Sequence, residues 1–155
     1  MISILIIGAV SIFSGIGILY TLAKNPQDAE FEKVTKLVQD QQLIQEIESV
    51  YSYNSVKSYI TVIGKTSEEE HVAYLVDKEN YQSAFEVKLS TGVTKEHAEE
   101  LVSQNQAVKE ILYTKLGYEE VGPVWEVTYV NAEDALSYTY VNFITGDWWK
   151  RISNL

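Results

Sequence analysis

The sequence contains no cysteine, which excludes disulfides, thiolate nucleophiles, iron–sulfur clusters and cysteine-ligated zinc. Only two histidines are present, His71 and His97, one in each half of the chain, and neither lies beside a nucleophile motif. No glycine-rich loop precedes a helix. Gly15 and Gly17 fall in the apolar N-terminal block, and Gly117 and Gly122 lead into a strand, so nucleotide binding has no support. Positive charge is scarce, with 12 Lys and Arg against 22 Asp and Glu for a formal net charge of −10. Such a surface is repelled by phosphate backbones, so nucleic acid is disfavoured as a partner. Binding rather than catalysis is therefore expected, with no cofactor and no metal.

Charge is also missing from the whole stretch Met1 to Ala23. A helix of that length spans about 35 Å against a hydrocarbon core of about 30 Å, which predicts a transmembrane anchor over residues 1–24. Thr21-Leu22-Ala23 offers a small-x-small cleavage site, but the apolar run exceeds the roughly 7–15 residues of a signal-peptide core. A retained single-pass anchor is the preferred reading. No Lys or Arg precedes the segment and Lys24 comes directly after it, so charge does not set the orientation. An acidic domain is readily exported, and residues 25–155 are expected outside the cytoplasm. Ser11 and Gly15 form a small-xxx-small pair of a kind common by chance.

Beyond residue 24 the sequence shows a change of period. Asn25-Pro26 suits a helix start, and Phe31, Val34, Leu37, Val38, Ile44 and Ile47 recur at helical spacing, predicting a helix over about 26–48. Alternation then predicts strands around Tyr59 to Ile63, Val72 to Val76 and Phe85 to Leu89. Thr94 is placed to cap a second helix over about 94–105, with Ala98, Leu101 and Val102 inward. Further strand-like runs lie at Val108 to Leu116, Val124 to Val130, Leu136 to Ile144 and Asp147 to Ile152. The clearest sets Trp125, Val127 and Tyr129 against Glu126 and Thr128. Glycine landmarks repeat: Gly64 and Gly92 are 28 residues apart, Gly117 and Gly146 are 29. The expected fold is α+β, an anchor and then two tandem units (25–92 and 93–155), each a helix packed on an antiparallel sheet.

Aromatic surface is abundant, with 11 Tyr and 3 Trp. Adjacent residues on a strand point to opposite faces, so Trp148 and Trp149 cannot both enter one core. Together with Tyr138 and Tyr140 they are the candidate partner contacts, because such side chains join a large apolar body to a polar tip. His97 with Glu96 and Glu100 lacks the second histidine of a helical metal site, and Glu68-Glu69-Glu70 and Glu119-Glu120 read as solvated turns.

The strand pair Trp125-Glu126-Val127-Thr128-Tyr129 and Leu136-Ser137-Tyr138-Thr139-Tyr140-Val141-Asn142-Phe143-Ile144-Thr145-Gly146 resembles the TseB-like (YpmB) family of Gram-positive bacteria. Ala73-Tyr74-Leu75-Val76 leading to Ala84-Phe85-Glu86-Val87 is similar to the family's first domain. The resemblance covers essentially the whole chain. It implies a membrane helix followed by two cystatin-like domains, the second related to PepSY domains. Asn142 stands where similar proteins often carry Asp, and the basic residues usual before the membrane helix are missing. That second departure leaves topology to analogy, or points to an incomplete N-terminus. The resemblance implies a noncatalytic extracytoplasmic regulator of cell-wall elongation that associates with a penicillin-binding transpeptidase. Two other readings compete with it: an inhibitor or chaperone of an exported peptidase, and a metal-dependent hydrolase.

Overall fold

A computed structural model describes residues 26–153. The chain divides into two compact units, residues 1–33 and 34–155, and every strand among the described residues lies in the second. Helix α1 (Pro26–Asp40) buries Val34 and Val38. Strands β1 (Glu46–Asn54), β2 (Ser58–Lys65), β3 (His71–Asp77) and β4 (Ala84–Lys88) form one antiparallel sheet in chain order. A 3-10 turn at Leu89–Thr91 leads to helix α2 (Lys95–Asn105), and β5 (Val108–Glu119), β6 (Gly122–Asn131), β7 (Leu136–Asn142) and β8 (Trp148–Ser153) form the second sheet, again in chain order.

This corrects the expected fold class. The described chain is mostly sheet, two four-stranded antiparallel sheets with two α-helices, and none of its helices is long and apolar enough to cross a membrane. The transmembrane helix expected over residues 1–24 lies outside the described residues. The surplus helix came from the segment after Asp40, where Ile44 and Ile47 prolong the helical spacing. There the backbone leaves the helix, with Gln42 at a φ of 58°. The run from Glu46 then pairs with β2 along its length, broken by one bulge between Ile47 and Ser49. Val50, Tyr51 and Tyr53 suit a pleated, half-buried surface better than a helix. The first sheet therefore has four strands where three were expected.

Helix α2 starts where its sequence signals it, with the Thr94 hydroxyl accepting the His97 N–H at 3.1 Å. Its buried residues Ala98 and Val102 join Trp125, Val127, Tyr129, Val141 and Phe143 in one apolar core. Trp125 is fixed in that core by donating its indole N–H to the Val93 carbonyl at 2.8 Å. The same core takes in Tyr53, Tyr59, Ala73, Leu75 and Val87 of the first sheet. Strand β6 is central, and every residue from Val124 to Tyr129 is buried. Its polar alternates, Glu126 and Thr128, are therefore covered rather than solvated, a point on which alternation alone misleads.

Candidate functional site

Two rows of side chains cross the second sheet on the face away from α2. Lys115 on β5 is registered with Glu126 on β6, Glu126 with Tyr140 on β7, and Tyr140 with Lys150 on β8. In the next row stand Tyr113, Thr128, Tyr138 and Ile152. Directly opposed residues share a face, which is why the tyrosines and the carboxylate converge. Of these, Tyr113, Lys115, Glu126, Tyr138, Tyr140 and Ile152 line a cleft of about 320 Å³ with Ser52, Tyr53 and Asn54 of β1, while Thr128 is fully buried.

The first sheet supplies the other wall and anchors to β5 by side chains. Tyr51 and Thr61 face each other across β1 and β2. The Leu116 N–H donates to the Tyr51 hydroxyl at 2.9 Å, and Thr61 donates to the Leu116 carbonyl at 3.1 Å. Both backbone groups of one residue on an edge strand are thereby satisfied, which blocks that edge against strand pairing there. One position on, Gly117 leaves room for the Tyr53 ring, because a Cβ there would lie 2.1 Å from it. Tyr53 then reaches past Gly117 to donate its hydroxyl hydrogen to Glu119. Lys115 donates to the Ser52 carbonyl at 3.0 Å and lies over the Tyr113 ring at 4.9 Å.

Burial governs the electrostatics. Glu126 is 7% exposed, and burial holds its carboxyl above the usual carboxylate range; a hydrogen bond from Tyr140 and the charge of Lys115 oppose that shift, while Glu119 adds to it. Burial also pushes the Tyr140 hydroxyl up, reinforced by the charge of Glu126 and the hydrogen bond to it. Tyr53 is raised by burial and then by its bond to Glu119, and Tyr51 by burial against the opposing bond from Leu116. Tyr138 is raised by burial, and its hydroxyl is bonded to that of Tyr113.

The four residues singled out from sequence separate in space. Tyr138 and Tyr140 line the cleft. Lys150 is registered with Tyr140 and Trp148 with Val141, so Trp149 is the extra residue of a bulge. Its ring packs edge-on against Tyr140, with centroids 6.2 Å apart, and it lies against the apolar core. Trp148 falls on the α2 side, 69% exposed, at the rim of a groove of about 440 Å³ bounded by Leu101, Val102, Asn105, Thr139 and Val141. Glu119 corrects the reading of Glu119-Glu120 as a solvated turn: it is 6% exposed and held by Tyr53. Sequence reasoning also passed over Lys115, Glu126 and Tyr53. Only the charged residues inside otherwise apolar runs, Leu116 and Gly117 after Lys115 and the Val-Trp-Glu-Val of β6, gave a signal for them.

The remaining polar candidates lie at the surface. His71 faces Glu48 at 3.3 Å and His97 faces Glu100 at 3.6 Å, all four partly exposed. Glu69 pairs with Lys65 at 3.6 Å and Glu70 with Lys88 at 2.9 Å. Asn142 accepts the N–H groups of Ile144 and Thr145 at 2.9 and 3.1 Å, closing the turn into β8. An aspartate would accept the same two bonds, so this departure from the resemblance leaves the turn intact.

No family model matches the chain, and no curated protein matches it in sequence. Among solved structures it is similar to the YpmB protein from Bacillus subtilis, with a TM-score of 0.70 and 20% sequence identity over 79% of this chain and 95% of that one. At that identity the likeness is one of fold, and the fold is YpmB-like.

Proposed function

We propose that this protein is a noncatalytic binding protein at the outer face of the cell membrane, which regulates cell-wall elongation by docking on a penicillin-binding transpeptidase. The observation that carries the docking reading is Trp148, a large aromatic side chain 69% exposed beside an open groove at the free edge of a sheet. A tryptophan left outside the core in this way is the kind of anchor that fills a partner's pocket. Support for the partner's identity comes from the family resemblance of the Trp125–Tyr129 and Leu136–Gly146 strands, and the YpmB-like fold is compatible with it. The location rests on the uncharged sequence of residues 1–23 and the acidic character of residues 24–155.

The test is a photoreactive residue at position 148 in intact cells, with a second at Val56, an exposed residue of the turn between β1 and β2, as control. Capture of a penicillin-binding transpeptidase at 148 and not at 56 supports the proposal. Capture of an exported peptidase at 148 overturns it in favour of an inhibitor or chaperone.

A further inference from the structure

Glu126 sits at the centre of the cleft row with an incomplete electrostatic environment. It is more than nine-tenths buried, yet among the described residues no lysine, arginine or histidine nitrogen lies within 4.0 Å of its carboxylate. Lys115, its neighbour across the strand pair, gives its ammonium to the Ser52 carbonyl at 3.0 Å and to the Tyr113 ring instead. Glu119, the second buried carboxylate, acts on Glu126 with the same sign of charge. Glu119 is held by Tyr53, whereas Glu126 has the Tyr140 hydroxyl bonded to it and the charge of Lys115 only at longer range, and a buried carboxylate without an ion pair is costly unless something completes it. The same sheet face carries a second unsatisfied polar group, enclosed and outside the cleft lining. Thr128 lies two positions beyond Glu126 and shares its face, and its hydroxyl is buried with no hydrogen-bond partner.

From this geometry we infer that the cleft between β1 and the open face of β5, β6 and β7 is a binding site for a primary alkylammonium group. An ammonium carries three N–H donors and no acceptor, which matches the Glu126 carboxylate and the hydroxyl oxygens of the lining tyrosines. Its single positive charge supplies the close ion pair that Lys115, acting on the carboxylate only from a distance, does not make. The alkyl stem lies along Tyr138, Tyr140 and Ile152, whose rings and methyl groups form the wall. Tyrosine faces attract ammonium groups, and this face already does so twice within the chain: Lys115 lies over Tyr113 at 4.9 Å and Lys150 over Tyr140 at 5.6 Å. An anion meets two carboxylates here, and a neutral alcohol leaves the charge imbalance in place. The same chemistry is offered by a small free amine and by the lysine side chain of a partner protein.

The site is tested on the full chain in neutral detergent at pH 7.5 and constant ionic strength, by monitoring the backbone amide resonances of Glu126, Thr128 and Tyr138. The probes are n-butylammonium chloride and n-butanol. Saturable shifts with the ammonium, absent with the alcohol, are expected, and Glu126→Gln should weaken binding by at least about tenfold, equivalent to one charged contact. Lys115→Met removes the resident competitor, so it should tighten binding. Equal response to alcohol and ammonium, or unchanged ammonium binding in Glu126→Gln, overturns the inference. Nα-acetyl-lysine methylamide separates the sources: tighter binding than butylammonium assigns the site to a partner's lysine, weaker binding to a small amine, and both require the site. No transpeptidase is present in this titration, so its failure and that of the docking proposal are distinguishable.

Discussion

Tyr53 and Glu119 are joined by a buried hydrogen bond of 2.5 Å across 66 positions of sequence, tying the first sheet to the outer strand of the second. The bond satisfies the hydroxyl of a tyrosine in the shared core and gives a donor to a carboxylate with almost no access to water. Tyr53→Phe keeps the ring and strands the carboxylate, so it is expected to cost about 1–3 kcal/mol. Glu119→Gln keeps an acceptor oxygen and removes the charge, so its cost should be smaller. Urea unfolding of the two variants checks the order, and an equal or larger loss for the glutamine would show that the charge itself holds the sheets together.

The tyrosines make a prediction about alkaline pH. Tyr51, Tyr53 and Tyr140 have hydroxyls held above their ordinary value chiefly by burial, and Tyr74, bonded to Glu86 at 3.0 Å, is pushed up to about 12. Their ordinary value, shared by the unfolded chain, is about 10. The folded state therefore binds these protons more tightly, and that contribution to stability is complete below about pH 10 and lost as pH climbs towards the raised folded values. Absorbance of tyrosinate during a pH titration should show the exposed tyrosines ionising first. The buried group should ionise later, in one cooperative step coincident with loss of the β-sheet circular dichroism. Ionisation of all 11 tyrosines in a single transition near pH 10, with the fold intact, would contradict the buried network.

Glu126 gives the same sign at lower pH. Its folded carboxyl is held above the unfolded value, mainly by burial, so its proton is favoured in the fold. The associated stability is full below the unfolded value of about 4.3 and is lost as pH rises through the raised folded value. Glu126→Gln retains an acceptor for Tyr140 and does not ionise. Its melting temperature should match the parent near pH 4 and exceed it increasingly towards pH 8. A variant that melts lower than the parent at pH 8 would show that the ionised carboxylate stabilises the fold.

Periodicity was legible in the sequence, whereas coverage was not. The strands of the second sheet lie close to the runs marked by Trp125, Val127 and Tyr129 and by Tyr138 and Tyr140, because strict alternation states where side chains point. Alternation does not state what covers each face. Glu126 and Thr128 look solvated by pattern and are buried because β1 lies over that side of the sheet, a contact set by Gly117, Tyr51 and Tyr53 from far along the chain. Strand β1 itself was absorbed into the preceding helix, since Ile44 and Ile47 fit a helical spacing as well as an extended one. The separate fates of Trp148 and Trp149 were foreshadowed by strand geometry, but the bulge that assigns one to each face depends on the partner strand β7.

Trp148 and Trp149 allow binding and folding to be separated with two adjacent substitutions. Trp149 packs against Tyr140 and the core, with Lys150 over its ring, so truncation removes buried apolar contact and leaves a cavity. Trp149→Ala is expected to cost roughly 2–4 kcal/mol, somewhat below the full range for a completely buried tryptophan. Trp148 is largely outside the core, and exposed substitutions of this kind usually change stability by no more than about 0.5 kcal/mol. If Trp148 is the anchor of a docking surface, Trp148→Ala should nonetheless abolish capture of the partner while the melting temperature stays near the parent value. Thermal unfolding and partner capture measured on the same two preparations decide the matter. Loss of capture only in the destabilised Trp149→Ala chain would make the surface around Trp148 incidental and return the search to the tyrosine cleft.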